Sequence, residues 1–585
     1  MPATRFNRGD APSKRIVPYL DLSGGLNTAD DDHALARNEL AVSINTWYPY
    51  GKSLGKRPGS VPFAGGVTGA SAACTGIASA RFNGITYVVV QVGTALYAAK
   101  ESDTVFTPIG TMSTGAKSIS AAEMFEPNSG KDTLFIVNGV DYPLVWQGPG
   151  TTVVPASTLP TPNLPLNYTG TGVITPSLVT TYQNFLLYSG EPTKPTAVYV
   201  SNPEFPNNFT NPTSVNPTGS DPNYNPYVVG ANDGVNGGSI TQIATLEQGV
   251  IIFKEAAIYS FILTGLYNDI IFYPQLISAS IGCSATHSVA RFDGFLTFLG
   301  IDGVYTVTIA NGANQISKKV PTYFDSSLTG DVALITNRIS AVGVRHGGRY
   351  LLFYTNIYTT PRINASGMWF DFTRPDAQGI PSSGEISGMS VAGAVSLRGL
   401  LDDGNVVFCD SGQDRVGKFG VGFSDPNPDA AGFGAPITLT FAGKSDFMDD
   451  VFTGDGSLRP KTISKAWLVL SLGGHTPTID FSGTLTFHFT WIGGLANPEL
   501  TSSGSVSLAG VSQNDTWGEN WGSFVWAGDS SNQPYVIIEA DIPGGAQANN
   551  VQMRFVESSN DAYVITGFFV EVLDRQPQQG SYEKI

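Results

Sequence analysis

Cysteine is nearly absent: Cys74, Cys283 and Cys409 are the three in a chain of 585 residues. An odd number at such wide spacing excludes a fully paired disulfide framework and offers no CxxC zinc knuckle, so buried free thiols are expected. Charge is scarce as well, at 14% of residues against about 25% in an average soluble protein. The surface must then be built mainly from Ser, Thr, Asn, Gly and Pro. The five histidines, His33, His287, His346, His475 and His488, stand singly, so no metal site is expected from them. No run of about 18 apolar residues occurs, which excludes a membrane helix, and the first twenty residues hold no apolar core of a secretory signal. A soluble protein made in a cytoplasm is the expectation.

Helix-friendly composition is missing too. With Gly 67 and Pro 37, helices would be broken continually. What is present is a large apolar complement, 41% hydrophobic and 11% aromatic, enough for a folded, turn-rich β protein. The length corresponds to three or four domains of ordinary size. A net charge of −16, from 32 basic and 48 acidic residues, repels phosphate backbones and anionic membranes and argues against sequence-reading of nucleic acid. An acidic wall is still compatible with bordering a DNA path, because a conduit works best when its passenger does not stick.

Along the chain, residues 1–60 read as an N-terminal arm: a basic, Pro-containing start, then the acidic run Asp30, Asp31 and Asp32, then a short helix over Ala34–Ile44 with Asp32 as its cap. From 61 to 430 the pattern is short apolar runs in pairs. These are Ile85–Gln91 with Ala95–Ala99, Leu134–Val137 with Leu144–Trp146, and Phe185–Tyr188 with Ala197–Val200. Val250–Phe253 with Ile258–Leu263, Phe295–Leu299 with Val304–Ile309, Tyr350–Tyr354 with Met368–Phe372, and Val406–Cys409 continue the series. Asn83-Gly84, Asn138-Gly139, Asp293-Gly294 and Asp302-Gly303 supply the positive φ angles of primed hairpin turns. Antiparallel units recurring every 40 to 60 residues or so, without helices between them, predict a β-propeller of six or seven blades; two stacked sandwiches are the alternative. Two Pro/Asn/Thr-rich stretches, Gly148–Gly172 and Ser201–Asn225, read as excursions or contact loops. Residues 431–575 carry seven short strand patterns and read as a β-sandwich-like domain, followed by a polar tail over 576–585.

Catalytic signatures are not found. HExxH, GxSxG and GxxxxGK[ST] are all missing. Asn514-Asp515-Thr516-Trp517-Gly518 lacks the Asp-box order, and Asp402 with Asp403 or Asp449 with Asp450 read as solvated turns. Arg8-Gly9-Asp10 spells an adhesion tripeptide in a flexible start and is read as chance. Trp517, Trp521 and Trp526 are compatible with a sugar platform, but in a strand-rich module aromatic residues more often serve core or subunit contact. No catalytic, cofactor-binding or metal-binding residue is assigned.

One set of short segments is more specific. Leu22-Ser23-Gly24-Gly25-Leu26-Asn27-Thr28, Arg37-Asn38-Glu39-Leu40, Asn45 and Gly55-Lys56-Arg57-Pro58-Gly59 resemble the leading segment of bacteriophage β-propeller virion proteins, notably the tail nozzle or tail tubular proteins of short-tailed phages. Tyr182–Tyr188 with Val198–Ser201, Ile240–Ile243 with Ile251–Glu255, and Gly282-Cys283 with Phe298–Tyr305 resemble recurring blades of that group. The likeness spans about 22–310, weakens toward 420, and hardly reaches the C-terminal 150 residues or so. It implies structural roles for Gly24, Gly25, Leu26, Asn27, Asn38, Glu39, Asn45, Arg57, Pro58, Gly59, Lys254, Glu255, Gly282, Cys283, Asp302 and Gly303. It further implies a non-enzymatic virion tail component without cofactors, forming a homo-oligomeric, commonly hexameric, ring around the DNA ejection channel. Its expected partners are head-to-tail adaptor or portal proteins, tail fibres or spikes, and viral DNA in non-specific transit. The alternative is a carbohydrate-binding or glycan-degrading propeller of a receptor-binding tail protein.

Overall fold

The computed structural model describes residues 13–32, 34–49, 52–70, 72–115, 117–160, 164–165, 172–209, 227–230, 237–263, 272–324, 335–356, 363–397, 405–422, 424–426, 432–445, 461–471, 484–494, 499–507, 525–526, 535–559 and 563–574. Helix among them is limited to three 3-10 turns, Ala156–Thr158, Thr286–Ser288 and Pro321–Tyr323. The fold is all-β. It divides into two units, Gly59–Pro381 with Ile386–Ala435, and Met1–Pro58 with Ser382–Glu385 and Pro436–Ile585.

The first of these units is a β-propeller. Blade 1 comprises Cys74–Phe82, Ile85–Val92, Ala95–Ala99 and Thr107–Thr111; blade 2, Ser120–Glu126, Lys131–Val137, Leu144–Trp146 and Val154–Pro155. Blade 3 comprises Leu178–Tyr182, Phe185–Glu191, Lys194–Val200 and Tyr227–Val228; blade 4, Ile240–Leu246, Gly249–Lys254, Ile258–Leu263 and Phe272–Ser278. Blade 5 comprises Ala290–Arg291, Leu296–Leu299, Val304–Thr308 and Gly312–Gln315, and blade 6 takes Ile335–His346, Arg349–Asn356 and Ser366–Pro375 from this unit. Blade 7 is Val391–Ser396, Val406–Asp410 and Arg415–Phe419, completed by Ser60–Val67 from the start of the unit, antiparallel to Arg415–Phe419. The first strand of each blade lies against the first strand of the next, and blade 7 returns to blade 1. The toroid is therefore closed, with seven blades among the described residues.

Packing follows from the sequence pattern. The two middle strands of a blade are covered on both faces, so they read as unbroken apolar runs: Val88, Val89 and Val90 are all buried, as are Val250, Ile251, Ile252 and Phe253. Their side chains alternate between two interblade cores, one with Leu178, Leu187, Ile243 and Phe261 and another with Ile251, Phe253, Leu296 and Phe298. Turn chemistry is more varied than the dipeptides predict. Asn83 and Gly84 both have positive φ, as a type I′ turn requires, whereas only the glycine does so at Asn138-Gly139 and Asp293-Gly294, and neither residue does at Asp302-Gly303. Asn138 instead accepts hydrogen bonds at its side-chain oxygen from the N–H of Val140 and Asp141, an Asx turn. The stretch after Gly148 supplies the outer strand of blade 2 before its described residues turn away.

The second unit is built from two sheets that share one long strand, Tyr535–Ser559. One half of it pairs with Phe433–Gly443 and Thr484–Gly494, the latter continuing to Glu499–Ser507; the other pairs with Lys461–Ser471, which continues to Val564–Asp574. Phe441 stacks on Phe555 at 4.7 Å and Phe555 meets Phe568 at 5.1 Å, joining the two sheets through one aromatic core. The N-terminal segment supplies strands here: Ser13–Tyr19 and Leu54–Lys56 pair with Val564–Asp574, and Glu39–Ile44 pairs with Phe433–Gly443.

The helix expected over Ala34–Ile44 does not form; its second half is the strand Glu39–Ile44. Leu40 pairs in parallel with Leu26 on one side while the strand meets Phe433–Gly443 on the other, so both backbone edges find partners that an isolated short helix would lack. Asp32 caps nothing: its carboxylate accepts from the Gln552 side-chain amide at 3.0 Å. His33, His475, Arg8-Gly9-Asp10, Asp402, Asp403, Asp449, Asp450, Asn514–Gly518 and Trp521 lie outside the described residues, as does the tail.

Candidate functional site

The signature residues near the N-terminus form a hydrogen-bonded knot within the two-sheet unit. Gly25 has φ +77, and a Cβ there would meet the backbone nitrogen of Ser383 at 2.8 Å; a Cβ on Gly24 would meet the carbonyl oxygen of Asn38 at 2.6 Å. Close backbone approach therefore dictates both glycines. Leu26 is buried beside them. The Asn27 side-chain amide donates to Glu39 Oε2 and to Asp30 Oδ2, each at 3.0 Å, and Glu39 Oε2 also accepts from the N–H of Ala36.

Asn45 and Arg57 hold the next turn. Asn45 takes φ +55, which Asn tolerates better than most residues, and its amide donates to the Thr438 carbonyl at 2.8 Å. Arg57 is completely buried; its Nε donates to Asn45 Oδ1 at 2.7 Å and its Nη1 to the carbonyl of Pro58 at 3.1 Å. Gly59 belongs to the propeller, where its N–H donates to the Gly422 carbonyl and any Cβ would overlap Ser424.

In the propeller, Lys254, Glu255, Gly282 and Cys283 meet at the passage from blade 4 to blade 5. The Cys283 N–H donates to the Lys254 carbonyl at 3.0 Å, and a Cβ on Gly282 would overlap the backbone of Lys254 and Glu255. The Cys283 thiol donates to the Ala285 carbonyl at 3.1 Å, and burial pushes it up to about 11 despite that bond. Asp302 accepts from the Tyr305 hydroxyl at 2.7 Å, and Gly303 leaves room for Gln315 and Ser317. These settings hold backbone segments together.

The sequence reading missed a belt of polar contacts on the innermost strands. Arg81, Thr245, Arg291 and Arg345 each sit one residue inside the first hairpin turn of blades 1, 4, 5 and 6, opposite Thr86, Val250, Leu296 and Tyr350. Arg291 donates to Thr245 Oγ1 at 3.4 Å, and Arg345 donates to both oxygens of Asp293 at 3.1 and 3.3 Å while lying over the Phe292 ring. The N–H of Arg81 donates to the Glu123 carboxylate of blade 2 at 2.7 Å. Burial pushes that carboxyl up, with the Asp132 carboxylate adding and the Arg81 N–H opposing. Each contact stitches one blade to a neighbour near the axis. The repeated tetrapeptides Arg81-Phe82-Asn83-Gly84 and Arg291-Phe292-Asp293-Gly294 are the signal that marks the belt in the sequence.

Among the described residues no three His, Cys, Asp or Glu side chains converge as metal ligands. His287, half-buried near the inner strands, is pushed down by burial, and His346 packs edge-on against Phe419 at 5.2 Å. His488 and Trp526 lie on separate strands of the two-sheet unit.

No family profile matches the chain, and no curated protein matches it. Solved structures do. YCF48 from Cyanidioschyzon merolae is 12% identical, covering 62% of this chain and 98% of its own, with a TM-score of 0.34. A chain of the apo, autoinhibited Chaetomium thermophilum Polycomb Repressive Complex 2 is 9% identical over 63% of this chain and 98% of its own, with a TM-score of 0.36. An ancestral GH74 enzyme is 9% identical over 76% of this chain and 53% of its own, also at 0.36.

Proposed function

We propose that this chain is a structural component of a bacteriophage tail, a nozzle or tail-tube protein whose copies form a ring around the DNA ejection channel and join the connector to the tail fibres. The observation that carries the reading is the setting of the signature residues. Gly24, Gly25, Asn27, Asn45, Arg57 and Gly282 serve buried backbone contacts and fix shape, as a particle-borne scaffold requires, and the roles that the resemblance implies for them are of that kind. The net charge of −16 suits a wall that DNA passes without adhering.

Geometry bears on where such a channel would lie. Seven inner strands about 10 Å apart, the usual spacing of facing sheets, enclose a circle of roughly 22 Å between backbones, of which side chains occupy about half. The opening left is comparable to the roughly 12 Å major groove of a duplex and narrower than the duplex itself. A passage wide enough for a duplex would therefore have to run between copies of the chain and not along the axis of one propeller.

The test is the oligomeric state of the purified protein by light scattering and negative-stain microscopy. Rings, six-fold as in the resembled group, with a central hole wider than a DNA duplex are expected. A protein that stays monomeric at high concentration and cleaves an oligosaccharide would overturn the proposal in favour of a glycan-active propeller.

A further inference from the structure

Two of the three cysteines meet at one place in the toroid. Cys74 opens the innermost strand of blade 1; Cys409 lies on the second strand of blade 7, paired with Gly393 and Val416. The N–H of Cys74 donates to the Gln413 carbonyl at 3.1 Å and its Sγ to the Arg415 carbonyl at 3.7 Å, so the residue is fastened to the turn that follows Cys409. Both side chains are buried in one core with Phe63, Ile77, Val407 and Val416. The neighbouring Cys409 thiol and burial hold the Cys74 thiol far above the ordinary range, with Asp410 and Asp414 acting in the same direction, so the Cys74 sulfur remains protonated in the closed toroid.

Position gives the pair its consequence. Blades 1 to 7 follow one another along the chain, so every junction in the ring but one is spanned by the chain itself. The exception is the seam where Ser60–Val67, which runs on into blade 1, pairs with Arg415–Phe419 of blade 7 through hydrogen bonds and packing alone; Cys74 lies on one side of it and Cys409 on the other. Opening a propeller at that seam breaks the fewest covalent constraints, and a link there removes the open states of the whole ring.

We propose that Cys74 and Cys409 are a disulfide site that covalently closes the toroid when the protein meets a small-molecule disulfide. In the balanced reaction Cys74 loses its proton and attacks one sulfur of the small disulfide, giving a mixed disulfide and one released thiolate. Cys409 then loses its proton and attacks the Cys74 sulfur, forming the protein S–S bond and releasing the second thiolate. Two protein thiols are oxidised, one small disulfide is reduced to two thiols, and the two protons end on the leaving groups. Because both sulfurs are shielded in the closed ring, exchange runs through the opened seam. It is slow in native buffer and fast under mild denaturant or during folding. The proposal does not depend on the tail reading.

The experiment refolds the full chain in oxidised glutathione and, in parallel, under a phosphine reductant. The oxidised sample should lose the mass of two hydrogens and yield a linked pair of peptides containing Cys74 and Cys409. Cys283, buried in a separate core with Phe253 and Phe298, should still be alkylated after unfolding. The propeller's thermal midpoint should rise in the oxidised sample and fall back on reduction. This comparison uses one wild-type protein and needs no variant; Cys409→Ser, if it folds, should show neither the link nor the rise. Three thiols alkylated when the oxidised product is unfolded, or a link through Cys283, would overturn the proposal.

Discussion

Lys56 and Glu557 form an ion pair at 2.7 Å although they come from opposite ends of the chain, and their side chains are 0% and 1% exposed. The Tyr563 hydroxyl donates to the same carboxylate oxygen and the Lys56 ammonium stands 5.3 Å from the Tyr563 ring centre. The pair is buried, so removing Lys56 leaves a buried carboxylate without its cation. Lys56→Met is expected to destabilise the two-sheet unit by about 3–5 kcal/mol, while Lys56→Met combined with Glu557→Leu recovers most of the loss. Denaturant titration of that unit's transition, followed separately from the propeller's, checks both numbers.

Asn45 serves a positive φ and two hydrogen bonds at once. Asn45→Ala strains the backbone and removes an acceptor from the buried Arg57 guanidinium, for an expected loss of about 2–4 kcal/mol. Asn45→Gly relieves the strain alone and should fall between Ala and wild type. Equal losses for the two variants would show that the backbone angle carries no cost.

Gly282 and Gly294 separate steric need from conformational need. Gly282 has ordinary φ but no room, since a Cβ would overlap the Lys254 and Glu255 backbone; Gly294 has φ +88 and open space around it. Gly282→Ala should cost several kcal/mol or prevent soluble expression, whereas Gly294→Ala should cost about 1 kcal/mol. Thermal denaturation of the two variants side by side reads the contrast.

Alkaline stability should depend on Cys283. An unfolded thiol releases its proton near 9, the folded one only near 11, so the folded state holds the proton more tightly. That contribution is complete below pH 9 and is lost as pH rises to 11, on the order of 3 kcal/mol in all. Under reducing conditions Cys283→Ala should flatten the fall in stability between pH 9 and 11 relative to wild type.

The Arg345–Asp293 stitch should be worth little, because the Asp293 side chain is 91% exposed. Arg345→Ala is expected to cost at most about 1 kcal/mol, and the difference should shrink further in high salt. A larger, salt-insensitive loss would assign the effect to packing of the guanidinium over Phe292.

How much of this was legible is plain from particular strands. The runs read from the sequence, Ile85–Gln91 with Ala95–Ala99 through Tyr350–Tyr354 with Met368–Phe372, fall on the second and third strands of blades 1 to 6, and Val406–Cys409 falls on the second strand of blade 7. Those strands are covered on both faces and so write themselves as apolar runs. Most inner strands carry no such pattern. Ser120–Glu126, half-buried along most of its length, and the two-residue Ala290–Arg291 carry no clear alternation. Outer strands such as Val154–Pro155, exposed at both positions, hide in what reads as loop.

The sequence by itself determined an all-β chain of repeated hairpins, because solvent exclusion and turn geometry act over a few neighbouring residues; Gly24, Gly25, Asn45, Arg57 and Gly282 stand out in it only through the family resemblance. It could not determine which distant partners those residues meet. Whether Glu39–Ile44 becomes helix or strand, whether Lys56 finds Glu557, and whether Ser60–Val67 closes the ring against Arg415–Phe419 were decided only when the tertiary fold brought remote backbone edges and charges together. Hydrogen-bond and ion-pair partners far apart along the chain leave no local pattern, and these features rest on such partners.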